Sequence, residues 1–421
     1  MLVKRREAPY CMPVRSGSIP LHFPAFFVRD CSSPTESPPE RVAALDGLRG
    51  IAILVYACHN LYAGPAGTRI EGAVWFTLRS GWVGVSLFFV LTGFLTTGTL
   101  CDTKGVDAGY RHYYLRRVFR IVPLYYGFLL LWLLAAAHLG TYTAEEIVSL
   151  QASQGWYWTF LANLRLTLHQ GSFGAEPTIF WSLAVATHFY LLWPLVVAGT
   201  RRDWLVRVCL ALIVTAVLVR LSLRAAGIQP PIAEAIYTAT PARMDDLALG
   251  ALLALWIRTP GLAPRMARWS PPAGVLLTVA LLAAFVLGRG LRLDSRFFQT
   301  IGYTLVSTTA AAYVAMALTT RPASSLQQVL QWAPLRACGR WSYGTYVWHG
   351  ALFYALSRRS WYIHPPPLLG SRLAGALALC FGLVGAGTIL GAVSWRIYEQ
   401  PMLRLARRGP SRVGSDPTPT L

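Results

Sequence analysis

The chain has 421 residues, 54% of them hydrophobic and only 13% charged, with a mean hydropathy of +0.44; soluble domains carry roughly 25% charged residues, so a water-soluble globular protein is excluded. A net charge of +20 raises the question of nucleic acid, but no basic stripe interleaved with aromatics lies outside the apolar runs, and the excess fits arginines flanking membrane helices. Seven cysteines are scattered without CxxC or other metal-ligand spacing, so neither a disulfide framework nor a metal site is expected.

In chain order, residues 1 to about 44 are rich in Pro, Ser and Arg and contain no apolar run long enough to span, which reads as a disordered cytoplasmic tail. The first span covers about 46–64, in DGLRGIAILVYACHNLY, with Arg49 near one end and His59 placed deep in its apolar interior. An ionisable group in a bilayer costs a few kcal/mol at the helix centre, so His59 marks a functional site, or failing that a hydrogen bond between helices. Its unperturbed pKa lies nearest neutrality, which suits it to take a proton from a hydroxyl and return it.

A second run, GWVGVSLFFVLTGFLTTGTL at 81–100, is dense in small residues that let helices approach closely. The third opens after YYLRRVFRIVP, where Arg116, Arg117 and Arg120 gather at one membrane face, as plain positive-inside topology or as an anion site. A polar connection at about 140–177 follows. Further spans fall at about 179–199, 205–223, 243–257, 273–288, 299–319, 338–358 and 373–395, each near the ~20 residues a bilayer needs or somewhat shorter, about ten in all. With both termini cytoplasmic the inner segments carry roughly twenty Lys and Arg against roughly ten outside, which favours that orientation. No fixed-period repeat is present, and a basic, Pro-rich cytoplasmic tail covers 405–421. Arg243, Asp245 and Asp246 in RMDD, Tyr343 and His349 in GRWSYGTYVWHG, and Glu399 in RIYEQP lie within or at the ends of spans. Lipid does not tolerate isolated charges, so these should face one another or a wet cavity.

DGLRGIAILVYACH, GWVGVSLFFVLTGFL, YYLRRVFRIVPLYY, FWSLAVATHFYLLWPL, RMDDLALGALLAL, GRWSYGTYVWHG and RIYEQP, in that order, resemble the acyltransferase family 3 membrane proteins over about residues 42–404. The resemblance implies an all-α, ten-helix integral membrane domain at 45–404, in a bacterial inner membrane. It implies transfer of an acyl group, usually acetyl, from cytoplasmic acyl-CoA to a hydroxyl of a carbohydrate or glycosylated acceptor, with no bound cofactor. The family's first-span Arg and His fall on Arg49 and His59, and its RxxR on Arg117 and Arg120. On this reading His59 is the general base, with Arg49 orienting it or neutralising the tetrahedral oxyanion. Arg117 and Arg120, helped by Arg116, hold the CoA phosphates. His188, Arg243, Tyr343, His349 and Glu399 are supporting polar residues.

Two departures bear on activity. Family members usually place ten residues between the first-span Arg and His. Here nine intervene, which sets the two side chains about 80° apart around an α-helix unless a π-bulge restores the register. Where the family has a carboxylate after WSLxV, this chain has Ala186, with His188 as the polar neighbour that could compensate. A weakened relative that binds glycan or acyl-CoA without turnover, and a transporter or flippase, are the alternatives. The sequence fixes neither the acceptor nor the oligomeric state.

Overall fold

The computed structural model describes residues 43–60, 68–105, 109–138, 142–168, 179–226, 232–321, 323–357 and 367–402, all within one unit, Arg41–Leu421. The tail expected at 1–44 lies outside the described residues as far as 42, and its last two residues, Ala43 and Ala44, are helical; the tail expected at 405–421 lies outside them altogether. Among the described residues the chain is helical, and the one β-type contact is an isolated bridge between Leu368 and Ser371.

The helices are α1 (Ala43–His59), α2 (Arg69–Leu78), α3 (Val83–Thr103), α4 (Gly109–His138), α5 (Ala144–Trp158), α6 (Ala162–Leu168), α7 (Ile179–Gly199) and α8 (Arg202–Ala225), then α9 (Ile232–Thr238), α10 (Met244–Ile257), α11 (Leu262–Leu287), α12 (Tyr303–Thr319), α13 (Ser325–Leu330), α14 (Ala333–Arg340), α15 (Ser342–Ser357) and α16 (Arg372–Ser394). Short 3₁₀ turns, Arg79–Trp82 and Thr240–Arg243, lead into α3 and α10.

Seven helical stretches among the described residues are long and apolar enough to cross a membrane: Arg69–Thr103, Gly109–Ala135, Ile179–Gly199, Arg202–Ala225, Leu262–Leu287, Phe298–Thr319 and Arg372–Met402. Three more expected spans are occupied by the shorter helices α1, α10 and α15, of 17, 14 and 16 residues. The apolar side chains on the outside of the bundle show why water is the wrong solvent. On α11 alone Val275, Leu276, Val279, Leu282, Val286 and Leu287 are all exposed. A contiguous apolar surface of that kind needs a lipid or protein cover.

Small residues set the centre. A methyl group added at Gly93 of α3 would fall on the Leu247 carbonyl of α10, and one added at Gly250 of α10 would fall on the Val90 carbonyl of α3. The two backbones therefore touch through reciprocal glycines, which is how membrane helices gain packing where lipid removes the hydrophobic drive. Gly250→Val is expected to destabilise the bundle by about 1–3 kcal/mol or more, because backbone and not a flexible side chain occupies the space. A lowered thermal midpoint of the purified protein checks this.

The acidic pair that opens α10 is resolved by pairing. Arg220 donates to Asp245 at 2.8 Å and to the Ala242 carbonyl at 2.9 Å. Arg243 lies 3.0 Å from Asp246 and donates to Ser86 at 2.8 Å. All four charged side chains are fully buried. Asp245 and Asp246 also sit in the first turn of α10, where the positive end of the helix dipole favours carboxylates.

Candidate functional site

Two cavities open beside α1, and no residue lines both. The first, of about 130 Å³, is lined by Arg49, Arg117 and Arg120 together with Thr92, Ala186, Thr187, Tyr190, Ser342, Tyr343 and Tyr346. The second, of about 600 Å³, is lined by His59 and Asn60 with Tyr56, Trp82, Trp181 and Tyr237, and by Arg79, Arg292 and Asp294.

In the arginine cavity, Arg117 and Arg120 come from one face of α4, three residues apart. The Arg117 guanidinium lies over the Tyr190 ring, 4.6 Å from its centroid, and donates to Thr96 at 3.4 Å. Arg49 enters from α1 with Asp46 at 3.1 Å. The Tyr343 hydroxyl donates to the Ile121 carbonyl at 2.8 Å and so fixes this wall to α4. Buried Glu399 lies in a π-helical turn, Trp395–Glu399, that continues α16, near enough to Arg120 to sense its charge. Three guanidinium groups line one concave surface, an arrangement whose fixed donor geometry suits phosphate.

His59 is the last residue of α1, at the wall of the larger cavity, and not deep inside an apolar span as its place in 46–64 suggests. Residues 61–64 of that expected span lie outside the described residues. The His59 Nδ1 lies 2.6 Å from the Arg79 carbonyl oxygen. A carbonyl can only accept, so Nδ1 carries the hydrogen and the neutral ring keeps its lone pair on Nε2. That tautomer leaves a base available to a hydroxyl in the cavity. The Arg79 carbonyl reaches the ring because a glycine stands at each close approach to α1: a methyl group at Gly81 would fall on the Val55 carbonyl and one at Gly84 on the Ala52 carbonyl.

The far wall of this cavity is tied down by the 290–294 segment. Trp82 Nε1 donates to the Leu291 carbonyl at 2.7 Å, and the Leu291 N–H donates to Ser80 Oγ at 3.2 Å. Arg292 and Asp294 pair on the exposed rim at 2.6 Å, and this hydrogen bond holds the Asp294 carboxyl below its ordinary value. The floor is aromatic, with the Trp181 and Tyr237 ring centroids 4.6 Å apart and Trp82 edge-on to Tyr237 at 5.9 Å. An aromatic floor under a polar rim suits an amphipathic ligand that has flat apolar faces and hydroxyl edges.

The sequence pattern described as an acyltransferase domain matches residues 42–391. The chain belongs to acyltransferase family 3.

Set against the family 3 expectations, the structure separates residues that the sequence had grouped. Arg49 does not stand beside His59: the two are ten residues apart on α1, about 15 Å of helical rise, and they line different cavities. α1 is α-helical throughout, so no π-bulge brings them into register; the π turns fall at Phe298–Gly302 and Trp395–Glu399 instead. The group that orients His59 is the Arg79 carbonyl, whose only trace in the sequence is the glycine pair Gly81 and Gly84. Arg116 is exposed on α4 and lines neither cavity, since its neighbour Arg117 takes the inward face. His188 does not replace the carboxylate missing at Ala186. One ring nitrogen faces the Phe160 carbonyl at 3.0 Å and the other Thr240 Oγ at 2.9 Å, so both are engaged in holding α7 to its neighbours. Ala186 itself lines the arginine cavity, so the family carboxylate would face the arginines and not His59.

Arg243 is buried between the two cavities, with its guanidinium 5.2 Å from the Tyr237 centroid and 5.8 Å from that of Phe89. His349 is buried behind Tyr56, ring centroids 6.4 Å apart, and lines neither cavity. Of the supporting residues, Tyr343 lines the arginine cavity and Glu399 lies within electrostatic reach of its Arg120.

Among curated relatives the chain is 27% identical over 323 residues to the Bacillus subtilis protein YrhL, covering 73% of this chain and 48% of that one. It is 25% identical to the peptidoglycan O-acetyltransferase OatA of Listeria monocytogenes, covering 73% and 49%. The chain thus spans about half the length of these two. It is also 27% identical over 420 residues to the acyltransferase MdmB of Streptomyces mycarofaciens, covering 90% of this chain and 97% of that one. No solved structure matches.

Proposed function

We propose that this family 3 protein is a membrane O-acyltransferase that moves an acyl group, in the simplest case acetyl, from acyl-CoA to a hydroxyl of a carbohydrate-bearing acceptor. The observation that carries the reading is the 2.6 Å approach of His59 Nδ1 to the Arg79 carbonyl at the wall of a cavity with an aromatic floor, which assigns the ring's lone pair to Nε2. The convergence of Arg49, Arg117 and Arg120 on a second cavity supports a donor that carries phosphates. The names of OatA and MdmB support acyl transfer, and that of OatA a glycan acceptor.

In the reaction the acceptor hydroxyl gives its proton to His59 Nε2 while its oxygen attacks the thioester carbonyl carbon. The carbon–sulfur bond then breaks, and the His59 imidazolium gives the same proton to the departing thiolate, so that ester and CoA thiol form and the neutral ring is restored. An alcohol is a poor nucleophile until a base within hydrogen-bond reach removes its proton, which is why the histidine belongs in the acceptor cavity. Phosphates need only be held, which is why the arginines belong with the donor.

On this reading α1, α10 and α15 cross with the seven longer stretches to give ten spans. Both termini are cytoplasmic, and the arginine cavity faces the cytoplasm, where acyl-CoA is made.

The test is purified protein in lipid vesicles given acetyl-CoA labelled in the acetyl group, with peptidoglycan fragments or glycosylated small molecules as acceptors. Label should move to an acceptor hydroxyl with release of one CoA per ester formed. CoA release without acylated product, or no consumption of donor with any acceptor that binds, overturns the assignment.

A further inference from the structure

The two cavities are one aromatic layer apart, and Tyr346 is its centre. The Tyr346 ring lines the arginine cavity and packs against Tyr56, which lines the histidine cavity, with ring centroids 5.0 Å apart. Beside them Phe89 of the arginine cavity meets Trp181 of the histidine cavity edge-on, centroids 6.0 Å apart. The next residue, Ser182, turns to the arginine side, where its Oγ lies 2.8 Å from the Tyr346 hydroxyl. Tyr56, Phe89, Trp181 and Tyr346 are all at least nine-tenths buried, so the layer is closed.

We infer that Tyr346 is a gating residue of the transfer reaction, a removable partition between donor and acceptor chambers that holds water away from the thioester until the acceptor is in place. This rests on the donor and acceptor assignments above, although the partition itself rests on the packing alone. The physical need is plain. His59 and the arginines act in separate cavities, so acyl carbon and hydroxyl meet only if this layer yields. A layer permanently open would expose the thioester to water and lose it to hydrolysis. The Tyr346 hydroxyl is tied to the Ser182 Oγ, which already donates to the Ile179 carbonyl at 3.1 Å, and to Tyr56 across the layer. A rotamer change of Tyr346 would part the Tyr56–Tyr346 contact of this layer.

Tyr346→Ala removes the ring and should join the chambers, while Tyr346→Phe keeps the ring and loses only its latch. The first readout needs no substrate: vesicles reconstituted with each protein and loaded with a pH-sensitive dye are given a proton gradient. Tyr346→Ala vesicles should equilibrate about tenfold faster than wild type or more, because the joined cavities are polar and wide enough to hold water, and Tyr346→Phe vesicles should stay tight. The second readout is acetyl-CoA hydrolysis without acceptor, expected to rise by about tenfold in Tyr346→Ala as water reaches the donor.

Tyr346→Ala vesicles as tight as wild type overturn the partition. Leaky vesicles with no acetyl-CoA cleavage by any variant uphold the partition and overturn the acyl-CoA donor. If Tyr346→Ala does not give a monodisperse protein, Tyr346→Leu opens a smaller gap in the same layer and is read by the same leak.

Discussion

His59→Gln is expected to lower the rate of acyl transfer by about a hundred- to ten-thousand-fold while leaving donor affinity within about twofold of wild type, the range that removal of a general base produces. Glutamine can still donate to the Arg79 carbonyl but offers no basic nitrogen, so the change isolates proton transfer from the packing of α1. Donor affinity should hold because the arginine cavity lies about 15 Å along α1 and behind the Tyr56–Tyr346 layer. Single-turnover rates give the first quantity and isothermal titration with the donor the second. Where wild type gains rate with rising pH as the imidazole loses its proton, the glutamine variant should lack that limb. A rate within threefold of wild type would place the base elsewhere.

Arg117→Ala and Arg120→Ala should act on the other half of the reaction. Each removes a charge-assisted contact to phosphate, worth about 1.5–3 kcal/mol, so the donor KM is expected to rise by about ten- to a hundredfold for each. The rate at saturating donor should fall much less, since His59 is untouched. Arg117→Lys should not rescue, because the Arg117 guanidinium is stacked on Tyr190 and shares a donor with Thr96, a planar fork that an ammonium cannot reproduce. Weakened donor binding at high salt is a second signature of the same contacts. Loss of rate with unchanged KM in both variants would remove these arginines from the donor site and leave them a topological role.

The double change is informative too. The residues lie on one helix face and would share one ligand, so their effects should couple instead of adding.

The helical, membrane-embedded architecture was legible because it follows from composition and run length. A stretch such as 179–199 is mostly apolar and carries no Asp, Glu, Lys or Arg, and backbone in lipid must close its own hydrogen bonds. Membership of the family was legible from motif order. The RxxR spacing was legible as well, because three residues on a helix share a face whatever surrounds them.

Other features of the site had no local signature. His59 could be recognised as unusual, but that α1 ends on it, and that it meets the Arg79 carbonyl, depends on how closely the 79–82 turn packs. Arg49 and His59 belong to one motif, which suggests partners. Yet a straight α-helix carries ten residues over about 15 Å and delivers them to different chambers. The distance was calculable; the intervening wall was not. His188 looked like a substitute for a lost carboxylate until Thr240 and Phe160 claimed both its nitrogens. Cys58 and Cys380, 322 residues apart in the chain, stand with their sulfurs 4.0 Å apart, a pairing that no spacing rule anticipates.

The sequence by itself determined the solvent, the helices, the family and the chemical types at hand, because hydropathy, helical period and residue chemistry act over short range. Only the tertiary structure decided which of those groups share a cavity. Such placement depends on side chains brought from α1, α3, α4, α7 and α15, and on the layer of rings that keeps Arg49 and His59 in separate cavities.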